Sequence, residues 1–368
     1  MKRVILSGGG TGGHIYPAVS VAEALKRKYG EEVEILFVGA EGKMEMEKIP
    51  ALGYRIEGLP VAGLQRRLTL SNLLLPFKVV RSVRRARRVI REFGADIVVG
   101  FGGYASAPVL WAAQRMGIPT VIQEQNSYAG LTNKLLSKRA KRICVAYDNM
   151  ERFFPKERIV MTGNPLRGRF MSGGENRSEA LCHYGFSDAL PVVLVVGGSL
   201  GTRTLNEMMK AWIKSLDGVA PVQVIWQTGK FYEQEMREFL AEHPTANIWQ
   251  GAFIERMDYA YAAADVVLSR SGACTVSELC LVAKPTIFVP SPNVSEDHQT
   301  KNAMALVEKG AAEIVRDSEV VARGMAEAVA LATDEERLER LAANIAKLAI
   351  SDSAARVVEV IDEELKRA

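Results

Sequence analysis

The sequence predicts an α/β chain of two doubly wound domains. Three observations carry this. Val4-Ile5-Leu6-Ser7 runs straight into Gly8-Gly9-Gly10-Thr11-Gly12-Gly13, five glycines in six residues, then His14 and an amphipathic helix from near Tyr16-Pro17-Ala18. Half a chain later Val192-Val193-Leu194-Val195-Val196 is followed by Gly197-Gly198-Ser199-Leu200-Gly201 and a helix from about Thr202 to Ser215. Between and beyond these units, short Val/Ile/Leu runs alternate with helical stretches, the pattern of parallel strands covered on both faces.

Taken in order, the strand candidates are 2–7, 33–38, 96–100, 119–123, 142–145 and 158–161, then 192–196, 222–227, 247–250, 265–268, 285–289 and 311–315. Gly163-Asn164-Pro165 breaks the alternation after the sixth strand. It sets a first domain at 1–163 and a second at 164–348. The chain closes on helices alone, the last at 351–367, and a final helix with no strand after it is free to pack back on the first domain, so 349–368 is assigned there.

Composition narrows the class. At 48% hydrophobic and 24% charged the chain has the balance of a soluble globular protein. No apolar run is long enough to cross a bilayer. The chain enters a strand at once, so no signal peptide is expected. Cys144, Cys182, Cys274 and Cys280 have neither metal spacing nor the density of a disulfide framework, which points to a reducing cytoplasm. A net charge of +4 makes no case for nucleic acid. Its distribution says more: from Arg66 to Glu92 there are nine Arg or Lys against one acid.

Each glycine loop fits either a ligand cradle or a plain tight turn. Glycine admits positive φ and lets a ligand approach with no Cβ in the way. A helix start offers unpaired N–H groups and the positive end of the dipole. Residues 8–13 therefore read as a phosphate cradle, and Gly8, Gly10 and Gly13 fit G-x-G-x-x-G. His14 is more than a tight turn needs. Phe101-Gly102-Gly103-Tyr104 repeats the device after strand 96–100, at the strand edge where open α/β sheets bind ligands. Gln123-Glu124-Gln125-Asn126 puts four polar residues at another strand end, costly unless they face solvent or a ligand.

In the second domain Ser269-Arg270-Ser271-Gly272-Ala273-Cys274-Thr275-Val276-Ser277-Glu278 opens a helix with small residues. Its first amides can hold a phosphate, and Glu278, a turn in, can accept hydrogen bonds from ribose hydroxyls; an acid satisfying the helix dipole is the plainer alternative. Asp297-His298-Gln299 starts another helix. No Asp-x-Asp occurs, so helix ends would replace the usual metal bridge to a diphosphate. The basic stretch 77–93 reads as a helix, with Val79, Val83, Ala86, Ile90 and Phe93 on one face and Arg81, Arg84, Arg85, Arg88 and Arg91 round the others. Leu68, Leu70, Leu73, Leu74, Leu75 and Phe77 precede it. A solvated crossover helix and a surface docked on an anionic membrane both fit this segment.

As a set, Gly9-Gly10-Thr11-Gly12-Gly13-His14, Gly102-Gly103-Tyr104-Ala105-Ser106, Glu124-Gln125-Asn126, Gly163-Asn164-Pro165, Gly197-Gly198-Ser199, Thr275-Val276-Ser277-Glu278 and Asp297-His298-Gln299 resemble, in order, the MurG family of bacterial transferases. That family moves N-acetylglucosamine from UDP-GlcNAc onto the undecaprenyl-linked lipid I, giving lipid II for peptidoglycan. The resemblance runs from residue 3 to the end. It implies a GT-B fold, two Rossmann-like domains facing across a cleft, with the donor on the second domain and the acceptor on the first.

By the family's pattern Arg167, Ser199, Ile254, Ala273, Cys274, Thr275, Val276, Ser277, Glu278 and Gln299 would line the donor site. Ile254 would meet uracil through its backbone, Glu278 the ribose, Gln299 the sugar and the 273–275 amides the diphosphate. Thr11, Gly12, Gly13 and Asn126 would close over the sugar from the other domain, and Gly9, Gly10, Gly102 and Gly103 would cradle the acceptor diphosphate. His14 is the first choice of catalytic base, with Glu124 and Tyr104 behind it. No cofactor and no metal are expected. The basic surface near 64–93, with Trp111 and Lys138-Arg139 and Lys141-Arg142, becomes a docking face for the cytoplasmic side of the inner membrane, and other cell-wall synthesis proteins are candidate partners. Gln123, Leu200 and Ala252 depart from residues common in the family, so only backbone roles carry over there.

Other classes fit parts of this pattern. A nicotinamide-dependent dehydrogenase needs an acid at the end of the second strand, which instead runs Phe37-Val38-Gly39-Ala40 before Glu41. A UDP-GlcNAc 2-epimerase shares the two-domain layout but needs no membrane face, and another GT-B transferase on a lipid acceptor fits the same motifs. A catalytically dead nucleotide-sugar binding protein would have no use for both His14 and Glu278.

Overall fold

The computed structural model describes residues 1–61, 75–166, 176–198 and 200–367. Two units emerge: Met1–Arg167 with Ile350–Ala368, and Gly168–Ala349. The first holds β1 (Lys2–Ser7), α1 (Gly12–Tyr29), β2 (Val33–Ala40), α2 (Glu45–Ala51), β3 (Arg55–Leu59), α3 (Leu75–Phe93), β4 (Ile97–Gly100), α4 (Gly103–Arg115), β5 (Thr120–Glu124), α5 (Leu131–Ser137), β6 (Arg142–Val145) and β7 (Ile159–Met161). The second holds α6 (Arg177–Tyr184), β8 (Val192–Val196), α7 (Arg203–Lys214), β9 (Val219–Gln227), α8 (Glu233–Glu242), β10 (Ala246–Gly251), α9 (Met257–Ala263), β11 (Val266–Ser269), α10 (Ala273–Leu281), β12 (Thr286–Phe288), α11 (His298–Val307), β13 (Glu313–Ile314), α12 (Val320–Ala332) and α13 (Glu335–Ala346). The terminal helix α14 (Ser353–Arg367) returns to the first unit.

Both sheets are parallel and doubly wound. The first has strand order β3-β2-β1-β4-β5-β6-β7 and the second β10-β9-β8-β11-β12-β13. Each chain path starts in mid-sheet, winds outward, then returns to the other side of its first strand. The switch points fall between β1 and β4 and between β8 and β11. Loops leaving these strands diverge there and open a crevice at the carboxyl edge, the usual ligand position. The glycine loops that follow β1 and β4, and those that follow β8 and β11, therefore flank the two switch points.

Side-chain alternation along the strands sorts the first core into two faces. Val4, Leu6, Ile35, Phe37, Ile97 and Val99 point to one side, where α1 and α14 cover them. Ile5, Leu36, Val38, Val98 and Ile122 point to the other, under α3 and α4. Helix α14 is amphipathic and buries Val357, Val358, Val360 and Ile361. Each such side chain contributes about 1.5–3 kcal/mol on burial, which is the physical reason that the chain's end comes back. In the second unit α7, α8 and α12 cover Val193, Val195, Val224, Trp226, Val266 and Leu268.

The structure differs from the sequence reading at several places. Strand β3 was not expected: Arg55, Glu57 and Gly58 disguise it, and as an edge strand it fully buries only Leu59. Helix α1 starts at Gly12 rather than near Tyr16, so Gly12, Gly13 and His14 form its first turn. In α3 the buried side chains are Ser82, Ala86, Val89, Ile90 and Phe93, whereas Val79 is exposed with Phe77 and Val80. Arg66, Arg67, Leu68, Leu70, Leu73, Leu74, Arg167 and Ser199 lie outside the described residues. Among the described residues no helix is long and apolar enough to cross a membrane.

Candidate active site

The first unit builds its site by bringing two glycine loops together. Phe101 donates its N–H to Ser7 O at 2.7 Å, which ties the ends of β4 and β1. Beyond that tie, a Cβ added at Gly103 would lie 2.4 Å from Gly9 O, and one at Gly102 would lie 3.1 Å from His14 Nε2. Gly102 and Gly103 have φ of +88 and +78, so the backbone favours glycine at both, and at Gly103 the space requires it as well.

His14 sits in this junction. Its Nδ1 lies 3.0 Å from Gly9 O and 3.2 Å from Thr11 Oγ1. A carbonyl oxygen has no proton to give, so Nδ1 carries the hydrogen and donates it to Gly9. Nε2 is then the bare nitrogen of the ring. Burial lowers the His14 pKa below its ordinary value, against the raising effect of the Gly9 bond and of the Glu124 and Glu45 charges. Near neutral pH the ring is therefore neutral and can accept a proton.

The polar run at the carboxyl end of β5 was expected to face solvent or a ligand. Instead Gln123, Glu124 and Gln125 are buried, and their polar groups are satisfied within the unit. Gln123 donates to Asn164 Oδ1, Asn164 donates to Gln125 O, and Gln125 donates to Phe101 O. The Gly163-Asn164-Pro165 break thus locks the strand ends. Glu124 accepts from Asn126 N and Nδ2, from Gly130 N at 3.0 Å and from Asn133 Nδ2 at 2.8 Å. With both oxygens engaged it organises the loop that carries Asn126. Tyr104, in the first turn of α4, exposes its ring and makes no hydrogen bond to His14 or Glu124.

At the second switch point a cavity of about 510 Å³ lies among Gly197, Gly198, Thr202, Gly272, Thr275 and Gln299. Arg203 at the start of α7 and Arg270 after β11 add positive charge to its wall. Arg270 is held by Asp317 at 2.6 Å and by a bond to Val289 O. Gln299 is fixed through Oε1, which accepts from Ser291 N, and through its carbonyl, which accepts from Ser271 Oγ. Ala273, Cys274, Thr275, Val276 and Ser277 form the first turn and more of α10, whose leading amides have no intrahelical acceptor. Glu278 follows; burial pushes its carboxyl up to about 7, and Tyr261 Oη donates to it at 3.4 Å. Ile254 is buried just beyond β10. Among the described residues no group of three or more His, Cys, Asp or Glu has the arrangement of a metal site.

The sequence reading missed Glu45, Asn133, Arg203 and Tyr261 as members of these sites, and gave Arg270, inside the stretch 269–278, no role of its own. Arg203 and Arg270 follow glycine-rich or strand-end loops, a signal that could have found them. Glu45 and Tyr261 reach their sites only through the fold.

Two parallel doubly wound units, each with its loops gathered at a switch point, are the build of a GT-B glycosyltransferase. Residues 4–145 match the glycosyltransferase family 28 N-terminal domain and residues 192–357 the glycosyltransferase family 28 C-terminal domain. The chain belongs to glycosyltransferase family 28. It is 51% identical over 359 residues to the UDP-N-acetylglucosamine--N-acetylmuramyl-(pentapeptide) pyrophosphoryl-undecaprenol N-acetylglucosamine transferase of Parabacteroides distasonis, covering 98% of this chain and 97% of that one. It is 53% identical over 364 residues to the transferase of the same name from Porphyromonas gingivalis, covering 98% and 94%. The crystal structure of MurG from Acinetobacter baumannii matches with a TM-score of 0.78 at 30% identity, covering 99% of this chain and 100% of that one.

Proposed function

We propose that this enzyme transfers N-acetylglucosamine from UDP-GlcNAc to the C4 hydroxyl of the muramyl sugar in undecaprenyl-diphospho-MurNAc-pentapeptide. The observation that carries it is identity at about half of all positions, over nearly the full length, with transferases of that name. This extent of likeness favours transfer over epimerisation, which the two-domain layout alone would also support.

The chemistry is a single displacement with inversion. The acceptor's C4 oxygen attacks C1 of GlcNAc, the C1–O bond to UDP breaks, and its electron pair leaves with the diphosphate. The hydroxyl proton goes to Nε2 of His14, which the Gly9 bond leaves bare. Glu124, saturated by four hydrogen bonds, is assigned to holding Asn126 and Asn133 in place rather than to proton transfer. Tyr104 is assigned to acceptor contact.

Residues 164–348 hold the donor and 1–163 with 349–368 the acceptor. The amides of Ala273 to Thr275 and the positive wall of the cavity take the diphosphate, stabilising the charge that builds on it. Glu278 takes the ribose, Gln299 the sugar and the Ile254 backbone the uracil, with Arg167 and Ser199 completing the donor set from outside the described residues. Cys274, Val276 and Ser277 shape the α10 turn. Gly9, Gly10, Gly102 and Gly103 cradle the acceptor diphosphate, and Thr11, Gly12, Gly13 and Asn126 contact substrate from the first unit.

The acceptor is a membrane lipid, and α3 supports peripheral docking on an anionic cytoplasmic face. Its leading turn exposes Phe77, Val79 and Val80, and Arg81, Arg84, Arg87 and Arg91 are exposed along its length. Incubation of radiolabelled UDP-GlcNAc with a lipid I analogue tests the reading. Label moving to the lipid fraction supports it; UDP-ManNAc formed without acceptor would replace it with epimerisation.

A further inference from the structure

Glu45 belongs to no motif, yet its side chain is fully buried. It opens α2 and sends its two oxygens to different parts of the fold. Oε1 accepts from the Ala40 N–H and Oε2 from the Gly10 N–H, both at 3.0 Å. Among the described residues it has no salt bridge. A Cβ added at Gly9 would lie 2.1 Å from Oε1, and one at Gly39 would lie 2.6 Å from Cγ. The carboxylate is thus wedged between the end of β2 and the glycine loop. Burying a carboxylate without a cation is costly, even when backbone N–H groups satisfy it. An apolar side chain of the same size would leave the Ala40 and Gly10 N–H groups without an acceptor, so the carboxylate has a use in holding these backbone groups.

That use follows from the peptide between Gly9 and Gly10. A trans peptide points its N–H and its C=O in opposite directions. Here the N–H belongs to Gly10 and is held by Glu45. The C=O belongs to Gly9 and accepts from His14 Nδ1. One peptide plane therefore joins the carboxylate to the imidazole, and hydrogen bonds in such a chain polarise one another. Holding the N–H end inward fixes the C=O end toward the ring, and the negative charge behind it makes that oxygen a better acceptor.

We propose that Glu45 is a positioning residue that acts on His14 through the Gly9–Gly10 peptide, holding the ring in the Nδ1–H form with Nε2 bare. The inference rests on His14 as the proton acceptor. It predicts that the tautomer, not donor binding, depends on Glu45.

The test reads the imidazole nitrogens by long-range ¹H–¹⁵N correlation in the full chain. There are 4 histidines, and His14→Gln identifies the signals of His14. In the wild type His14 shows one protonated Nδ1 and one bare Nε2. In Glu45→Ala this pattern gives way to a mixture of tautomers, kcat falls about tenfold or more, as when a group orienting a metal-bound histidine is lost, and KM for UDP-GlcNAc holds. Glu45→Gln, which keeps one acceptor oxygen, recovers part of both. Gly9→Ala displaces the carboxylate from the other side and gives the Glu45→Ala pattern, so the question does not depend on one variant folding. An unchanged His14 pattern in folded Glu45 and Gly9 variants overturns the inference, whatever the rate does. A changed pattern, with wild-type kcat in both Glu45→Ala and His14→Gln, supports the hold of Glu45 on the ring and removes the base assignment instead.

Discussion

At the scale of single residues, Glu278, the proposed ribose contact, keeps a buried carboxyl at a cost to stability above neutral pH. Burial raises its carboxyl from 4.5 to about 7. The folded chain therefore binds this proton more tightly than the unfolded chain does. Its effect on stability is fully favourable below pH 4.5 and is lost as pH rises to about 7. Glu278→Gln is accordingly expected to raise Tm at pH 8 and to leave it near wild type at pH 4.5, as differential scanning calorimetry would read. Ligand affinity runs the other way. The charged carboxylate is the better acceptor for ribose hydroxyls, so UDP affinity rises between pH 6 and 8 while the carboxyl ionises. Glu278→Ala is expected to weaken UDP by about 1.5–3 kcal/mol, the range for a hydrogen bond to a charged group, and to flatten that dependence in isothermal titration. Flat affinity in the wild type would take Glu278 out of the site.

At the scale of elements, two helices carry expectations. Ile361 of α14 is fully buried against the first sheet. Ile361→Ala is expected to cost about 2–5 kcal/mol, read as a lowered denaturation midpoint. Equal midpoints would mean that α14 adds nothing to the first core. Helix α3 is expected to bind anionic vesicles in a salt-sensitive way, because surface charge is screened over about 8–10 Å at ordinary ionic strength. Arg84→Glu with Arg88→Glu would weaken cosedimentation, and equal binding to neutral and anionic vesicles would defeat the electrostatic part. Elements were the most legible level of the sequence. Val/Ile/Leu runs announce buried parallel strands because both faces are covered, so β1, β4, β8 and β11 were plain. Strand β3 was not, because an edge strand tolerates Arg55, Glu57 and Gly58. The start of α1 was hidden for a related reason: glycine disfavours helix interiors, yet Gly12 and Gly13 stand in a first turn. In the site, glycine loops and His14 were visible as local pattern. The contacts of Glu45 with Gly10 and of Tyr261 with Glu278 join residues 35 and 17 apart, and local pattern holds no trace of them.

At the scale of the whole molecule, one architecture is used twice with different chemistry at its switch points. The first unit gathers glycine, a neutral histidine and buried carboxylates; the second gathers helix starts, arginines and a carboxyl tuned to about 7. The central claim is that these serve one transfer, with His14 taking the proton. The direct measurement is single-turnover transfer from radiolabelled UDP-GlcNAc to a lipid I analogue at saturating donor, for the wild type and for His14→Ala, His14→Asn and His14→Gln. Labelled lipid product is expected from the wild type. All three variants are expected to slow transfer by about 10²–10⁴, the range for losing a general base, while UDP affinity stays unchanged. Amide variants that turn over at near the wild-type rate would contradict the claim, because an amide can hydrogen-bond but cannot take the proton.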